Sequence, residues 1–279
     1  MSLQAVDYRA ADAAYAFTES LRVFGFGVLK NHPIQQALVN SIYRDWLAFF
    51  QSPAKYDYRY SPHFDGYFPP EVSETAKGYG VKDIKEYFHF YHPWGQCPPD
   101  LREGLVAYRA EANALAGELL AWVERYSPPA VAAGYTEPLS AMIDGSGQTL
   151  LRVLHYPPLQ GDEPPDALRA AAHEDINLLT ILPAANEPGL QVLDKHGNWL
   201  DVPCDFGLLI VNTGDMLQEA SGGYFPSTTH RVVNPPPGGS NAPRISLPLF
   251  LHPRPEVVLS GRYTADAYLK ERLRELGVL

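Results

Sequence analysis

Apolar and polar positions change their period near residue 148, and the change divides the chain in two. Ahead of it the dominant repeat is three or four residues. In HPIQQALVNSIYRDWLAFF, Leu38, Ile42, Trp46 and Phe49 recur at that spacing, which is the apolar stripe of an amphipathic helix. LREGLVAYRAEANALAGELLAWVERY repeats it with Leu101, Leu105, Tyr108, Ala112, Leu115, Leu119 and Trp122. That run predicts a long helix packed against the rest of the protein through this stripe. FGFGVLK (24–30) reads as an early strand. Residues 52–100 are rich in Tyr, Pro and Gly with little period, so they read as irregular structure, a candidate lid or substrate wall.

Beyond residue 148 short β-type runs alternate with turn residues: TLLRVLHYPP, NLLTILP, GLQVLD, GNWLDV, FGLLIVNTG, HRVVNPP and RISLPLFLHP. Asp194 to Trp199 predicts a hairpin turn in which Gly197 takes a positive φ. Several short strands in succession predict a sandwich or jelly roll. The closing TADAYLKERLRELGVL returns to helical spacing. With no repeat, low-complexity tail or linker, the expected organisation is one domain, 1–279. A helical and irregular section spans 1–147, a β core 148–254 and a C-terminal helical segment 255–279. The fold class is mainly β with flanking helices and a jelly-roll core.

Composition narrows the classes of partner. A chain of 279 residues can bury a substantial core, and 46% apolar with 19% charged residues suits a soluble globular protein. A formal net charge of −10 lacks the basic footprint of a nucleic-acid binder. No apolar run has the length of a membrane span, and the N-terminus lacks the basic-then-apolar order of a secretory signal. Cys97 and Cys204 make no disulfide framework, so a cytoplasmic setting is expected. Nothing in the sequence indicates an oligomeric state.

The candidate chemistry lies in the β section. His173 and Asp175, in AAHEDINLLTIL, and His230, in STTHRVV, are possible metal ligands. On a strand, residues two apart share a face, so His173 and Asp175 can reach one ion while Glu174 points away. His230 must come from a distant strand. Two histidines and a carboxylate occupy one face of an octahedral ion and leave other positions open, as in a non-haem Fe(II) oxygenase rather than a closed structural zinc site. A second His-x-Asp, His63 to Asp65, sits among turn-forming residues with no strand-like run after it and reads as a loop. Of the other histidines, His196 reads as a solvated turn residue. His89, His92 and His252 read chiefly as packing residues, with His89 and His92 alternatively at a pocket mouth, and His155 reads as a packing residue or a support behind the site. His32 precedes a proline at the start of a helix.

These motifs, in their order and spacing, resemble the Fe(II)- and 2-oxoglutarate-dependent dioxygenases, in the branch similar to isopenicillin N synthase. FGFGVLKNHPI resembles that branch's N-terminal strand and turn, and residues 148–254 its double-stranded β-helix core. GLQVLD, GNWLDVP and GDMLQEASGGYFPSTTHRVVNP match in order. The resemblance implies that His173, Asp175 and His230 hold Fe(II), and that Arg244 and Ser246 of RISLPLF hold the far carboxylate of 2-oxoglutarate. Arg244 and Ser246 are two apart on a strand, and a guanidinium grips a carboxylate through two parallel hydrogen bonds. Tyr156 of LHYPP matches a tyrosine that often reaches the same co-substrate. A core tyrosine bonded to the backbone is the other reading. Leu154 stands where the plant enzymes often carry Asn, so one contact is lost or supplied otherwise. Arg152, on the same face by alternation, is a candidate substitute or substrate contact.

The implied reaction consumes O2 and 2-oxoglutarate, releases succinate and carbon dioxide, and oxidises a small-molecule substrate, most commonly by hydroxylation. Desaturation and ring closure are adjacent outcomes, and retention of Asp175 disfavours halogenation. Two alternatives remain at this point. Isopenicillin N synthase takes no 2-oxoglutarate and uses an Arg-x-Ser pair for its substrate. A non-catalytic barrel that binds a small acid is the other.

Overall fold

The computed structural model describes residues 3–72, 81–275 and 277. Two β-sheets face each other, and three helices cover the outer face of the larger one. The strands are β1 (Ala5–Asp7), β2 (Phe26–Lys30), β3 (Gly66–Phe68), β4 (Glu86–Tyr91), β5 (Leu150–Tyr156), β6 (Ala170–His173) and β7 (Leu179–Pro183). They continue as β8 (Leu190–Leu193), β9 (Trp199–Asp201), β10 (Leu209–Thr213), β11 (His230–Val232), β12 (Arg244–Ser246) and β13 (Leu249–Leu251). The larger sheet runs β1-β2-β10-β7-β13-β5-β4-β3, with β12 also paired to β5, and the smaller runs β6-β11-β8-β9.

The two faces of the larger sheet serve two cores. On β5, Leu151 and Val153 join the helix-facing core, whereas Leu154 and Tyr156 turn into the space between the sheets. On β10, Leu209 and Val211 face the helices and Ile210 faces inward. This is the period-2 alternation of a strand buried on both sides. Helices α1 (Ala13–Phe24), α2 (Gln36–Gln51) and α3 (Pro99–Arg125) supply the outer layer. In α3 the predicted stripe is buried at Leu105, Tyr108, Ala112, Leu115 and Leu119, while Leu101 and Trp122 are only partly covered. In α2 Val39, not Leu38, is buried beside Ile42, Trp46 and Phe49. Gly27 lets α1 approach, because a Cβ there would stand 2.6 Å from the Phe17 ring. The hydroxyl of Tyr108 donates to the carbonyl of Leu247 at 3.2 Å and anchors α3 behind the β12–β13 link.

The predicted hairpin is present. Asp194 Oδ1 accepts from the amides of His196 and Asn198, and Gly197 has φ 81°. The C-terminal helix spans Ala265–Glu275.

The first half departs from the sequence reading. It contributes four strands to the larger sheet, and two of them, β3 and β4, lie in the 52–100 stretch read as irregular. EYFHFY is buried on both faces, so it shows no polar and apolar alternation to read. Phe68 and Tyr87 from these strands line the space between the sheets. Within the 52–100 stretch read as a candidate lid or substrate wall, residues 73–80 lie outside the described residues. No helix among the described residues is long and apolar enough to cross a membrane.

Candidate metal centre and co-substrate pocket

The three ligand candidates meet at the mouth of the space between the sheets. In the antiparallel β6–β11 pair, His173 stands directly opposite His230, with ring centroids 4.4 Å apart. Asp175 is not on the strand with His173. β6 stops at His173, and Asp175 comes from the turn into β7. Tertiary contacts therefore orient its carboxylate, not strand alternation. Its carbonyl accepts from the Asp215 amide at 2.7 Å. That approach needs Gly214, where a Cβ would collide with the carbonyl of Asn177 at 2.1 Å. Glu174 points away, as expected, and accepts from Thr229 Oγ1 at 2.6 Å.

Asp175 Oδ1 lies 4.0 Å from His173 Nε2 and 3.8 Å from His230 Nε2. The three donor atoms all fall within 4.8 Å of one another, and among the described residues no other such group of His, Cys, Asp or Glu occurs. Each donor is prepared to bind a cation. His173 Nδ1 contacts the Ala171 carbonyl at 2.8 Å, and His230 Nδ1 the Thr228 carbonyl at 3.1 Å. A carbonyl only accepts, so each Nδ1 carries the proton and each Nε2 presents a lone pair. Desolvation and the neighbouring His230 push His173 down to about 4, which keeps it neutral near pH 7. Burial would raise the Asp175 carboxyl. The two imidazoles, Thr180 and Asn212 outweigh it and hold the carboxyl below the usual range. Asp175 Oδ2 is occupied by Thr180 Oγ1 (2.6 Å) and Asn212 Nδ2 (2.8 Å), which leaves Oδ1 to face the histidines. The donor set fits a divalent metal with open coordination positions.

The Arg-x-Ser pair lies deeper. Arg244 pairs with Tyr156 and Ser246 with Leu154 across β12–β5, so all four share the inner region. The guanidinium sits 5.1 Å from the centre of the Tyr156 ring. Arg244 is 3% exposed, its Nε donates to the Glu187 carbonyl at 3.0 Å, and its buried Nη1 has no acceptor among the described residues. A buried guanidinium with an unused N–H is built to receive an anion. Tyr156 thus lies under Arg244 rather than in an unrelated part of the core.

Other candidates fall elsewhere. Arg152 donates to His89 Nε2 at 2.8 Å and sits over Tyr87, so it belongs to the pocket wall. His155 faces the helices and contacts Glu86 at 2.7 Å. His32 contacts the Gly207 carbonyl at 3.1 Å, and His196 is exposed in its turn. In the rejected His63 to Asp65 loop, Asp65 accepts from Ser61 Oγ and from the Gln96 amide, which ties its carboxylate into the turn. Sequence reasoning overlooked Thr180, Asn212 and Arg169. The signal in each case was a polar residue beside an otherwise apolar strand run, in LLTIL, LLIVNTG and RAAAH.

Comparison with known proteins agrees with this geometry. The family model described as the 2OG-Fe(II) oxygenase superfamily matches residues 147–253. The model for the non-haem dioxygenase N-terminal region, named for morphine synthesis, matches residues 2–107. The chain is similar to 2-oxoglutarate-dependent dioxygenase 11 of Oryza sativa subsp. japonica, at 31% identity over 89% of this chain and 70% of that protein. Among solved structures, a candidate oxygenase from Shewanella oneidensis is 60% identical with a TM-score of 0.91 over 100% of both chains. JOX2 in complex with 2OG, Fe and JA is 25% identical with a TM-score of 0.79, covering 99% of this chain and 85% of that one.

Proposed function

The chain belongs to the Fe(II)- and 2-oxoglutarate-dependent oxygenase superfamily, and from that premise we propose the role of each residue in its site. It is a dioxygenase that uses iron, 2-oxoglutarate and O2. In our reading His173, Asp175 and His230 hold the iron through Nε2, Oδ1 and Nε2. Iron there supplies the oxygen activation that couples decarboxylation of 2-oxoglutarate, to succinate and carbon dioxide, with oxidation of a C–H bond. The observation that carries this reading is that both Nδ1 atoms and Asp175 Oδ2 are already bonded, so the three remaining donor atoms turn toward one point.

Arg244 and Ser246 bind the far carboxylate of 2-oxoglutarate, with Tyr156 beneath the guanidinium. The substrate is a small molecule, most simply hydroxylated, and it lies against the wall formed by Arg152, Tyr87 and Phe250. Phe250 stands opposite Thr180 in the β13–β7 register, and Thr180 bonds Asp175, so that ring shares the metal face. The Arg152 guanidinium packs 5.4 Å from the same ring. These side chains orient the target bond and exclude water from it.

Purified protein supplied with Fe(II), O2, 2-oxoglutarate and a panel of small acids and heterocycles is expected to release succinate in step with substrate loss. Turnover at full rate without 2-oxoglutarate would instead assign Arg244 and Ser246 to the main substrate.

A further inference from the structure

Arg169 immediately precedes β6 and is 1% exposed, yet it forms no ion pair among the described residues. Its Nη2 donates to the Ala242 carbonyl at 3.1 Å, and its buried Nε has no acceptor. Ala242 lies two residues ahead of Arg244, so the contact draws Arg169 toward the start of β12. Arg244 shows the same pattern: one bond to a backbone carbonyl and one buried nitrogen unused. The two charges reach each other. Burial depresses the Arg169 pKa and Arg244 depresses it further, while Tyr156 and Glu187 act in the opposite direction. The residues that surround Arg169 electrostatically are thus those of the co-substrate pocket.

Two neighbouring buried cations with N–H groups to spare are costly unless an anion balances them. Asp175 cannot serve, because its carboxylate is engaged at the metal end by Thr180 and Asn212. Glu187 acts on Arg169 electrostatically, but it meets Arg244 only through its backbone carbonyl and forms an ion pair with neither arginine among the described residues. The balancing charge is therefore expected from a ligand.

We propose that Arg169 is a second cationic determinant of co-substrate recognition, acting with Arg244 on the far carboxylate of 2-oxoglutarate and against 2-oxo acids with a neutral end. The inference rests on the assignment of Arg244 above. Its chemical content is selectivity. A single guanidinium anchors one carboxylate, whereas two neighbouring cations also penalise a ligand that leaves them unbalanced.

The test is equilibrium binding to the Fe(II)-loaded protein without oxygen, which removes turnover from the readout. The probes are 2-oxoglutarate and 2-oxopentanoate, which shares the 2-oxo acid head and five-carbon length but ends in a methyl group. Arg169→Met should weaken 2-oxoglutarate by about tenfold or more, the size of a lost charged hydrogen bond. It should leave 2-oxopentanoate unchanged or bound more tightly. Arg169→Gln, which keeps a polar side chain without the charge, is the second variant should the first fail to fold, and is read by the same criterion. Equal weakening of both acids, or no change in either, would overturn the proposal and make Arg169 a structural residue. Loss of the preference for 2-oxoglutarate in Arg244→Ala but not in the Arg169 variants would remove Arg169 alone. A wild-type protein that binds both acids equally would remove the assignment of Arg244 and this inference with it.

Discussion

Thr180 Oγ1 donates to Asp175 Oδ2 at 2.6 Å, from the strand that begins just after the turn carrying that carboxylate. The bond turns Oδ1 toward His173 and His230. Thr180→Val keeps shape but removes the donor. It should weaken metal binding by about 10–100-fold, the usual effect of losing such a supporting bond. His173→Ala, Asp175→Ala and His230→Ala should abolish stoichiometric Fe(II) binding outright, while His63→Ala retains it. Titration with Fe(II) or Co(II) measures all five. An unchanged affinity in Thr180→Val would show that Asn212 alone orients the carboxylate.

Arg244→Ala should raise the KM for 2-oxoglutarate steeply, because a charge-assisted contact in a poorly hydrated pocket is lost. Arg244→Lys should recover only part of it, since an ammonium cannot reproduce the planar fork. Ser246→Ala removes one hydroxyl bond of about 0.5–1.5 kcal/mol and should cost less. The check is the ratio of 2-oxoglutarate KM values across the three variants. A larger effect from Ser246→Ala than from Arg244→Ala would reverse the assignment.

Glu86 provides a pH-dependent stability test outside the pocket. Its carboxylate receives Lys55 at 2.8 Å, His155 at 2.7 Å and the Tyr67 hydroxyl. Burial alone would raise its pKa, but these partners together hold it below its usual value of 4.5. A carboxyl depressed on folding stabilises the native state above its unfolded pKa and loses that contribution as pH falls through the folded value. Glu86→Gln should therefore destabilise by about 1.5–3 kcal/mol near pH 7. The difference from wild type should shrink as pH falls below about 4.5. Denaturant unfolding at pH 7 and pH 4 measures it, and a gap that widens in acid would contradict the sign.

Leu115 is 2% exposed in the core between α3 and the larger sheet. Leu115→Ala should cost on the order of 2–5 kcal/mol of stability through the cavity left behind. Iron stoichiometry should be unaffected, because α3 packs on the side of the sheet away from the metal. Thermal unfolding and metal analysis on the same preparation separate the two effects.

The sequence by itself determined the fold class, the order of most core strands along the chain and the candidates for holding a metal and a carboxylate. Those features are local. Strand period, turn glycines and the types of side chain capable of holding iron or a carboxylate are all visible in short runs such as AAHEDINLLTIL and RISLPLF. Only the tertiary structure decided how the pieces meet. Asp175 left the strand that alternation gave it, because the Gly214–Asn177 approach and the bonds from Thr180, Asn212 and Asp215 position it. β3 and β4 emerged from a stretch with no readable period, because strands buried on both faces lose the alternation that marks them. Arg169 acquired meaning only when burial placed it beside Arg244. Whether a buried charge lies near another charge depends on contacts far apart along the chain, which no local pattern encodes.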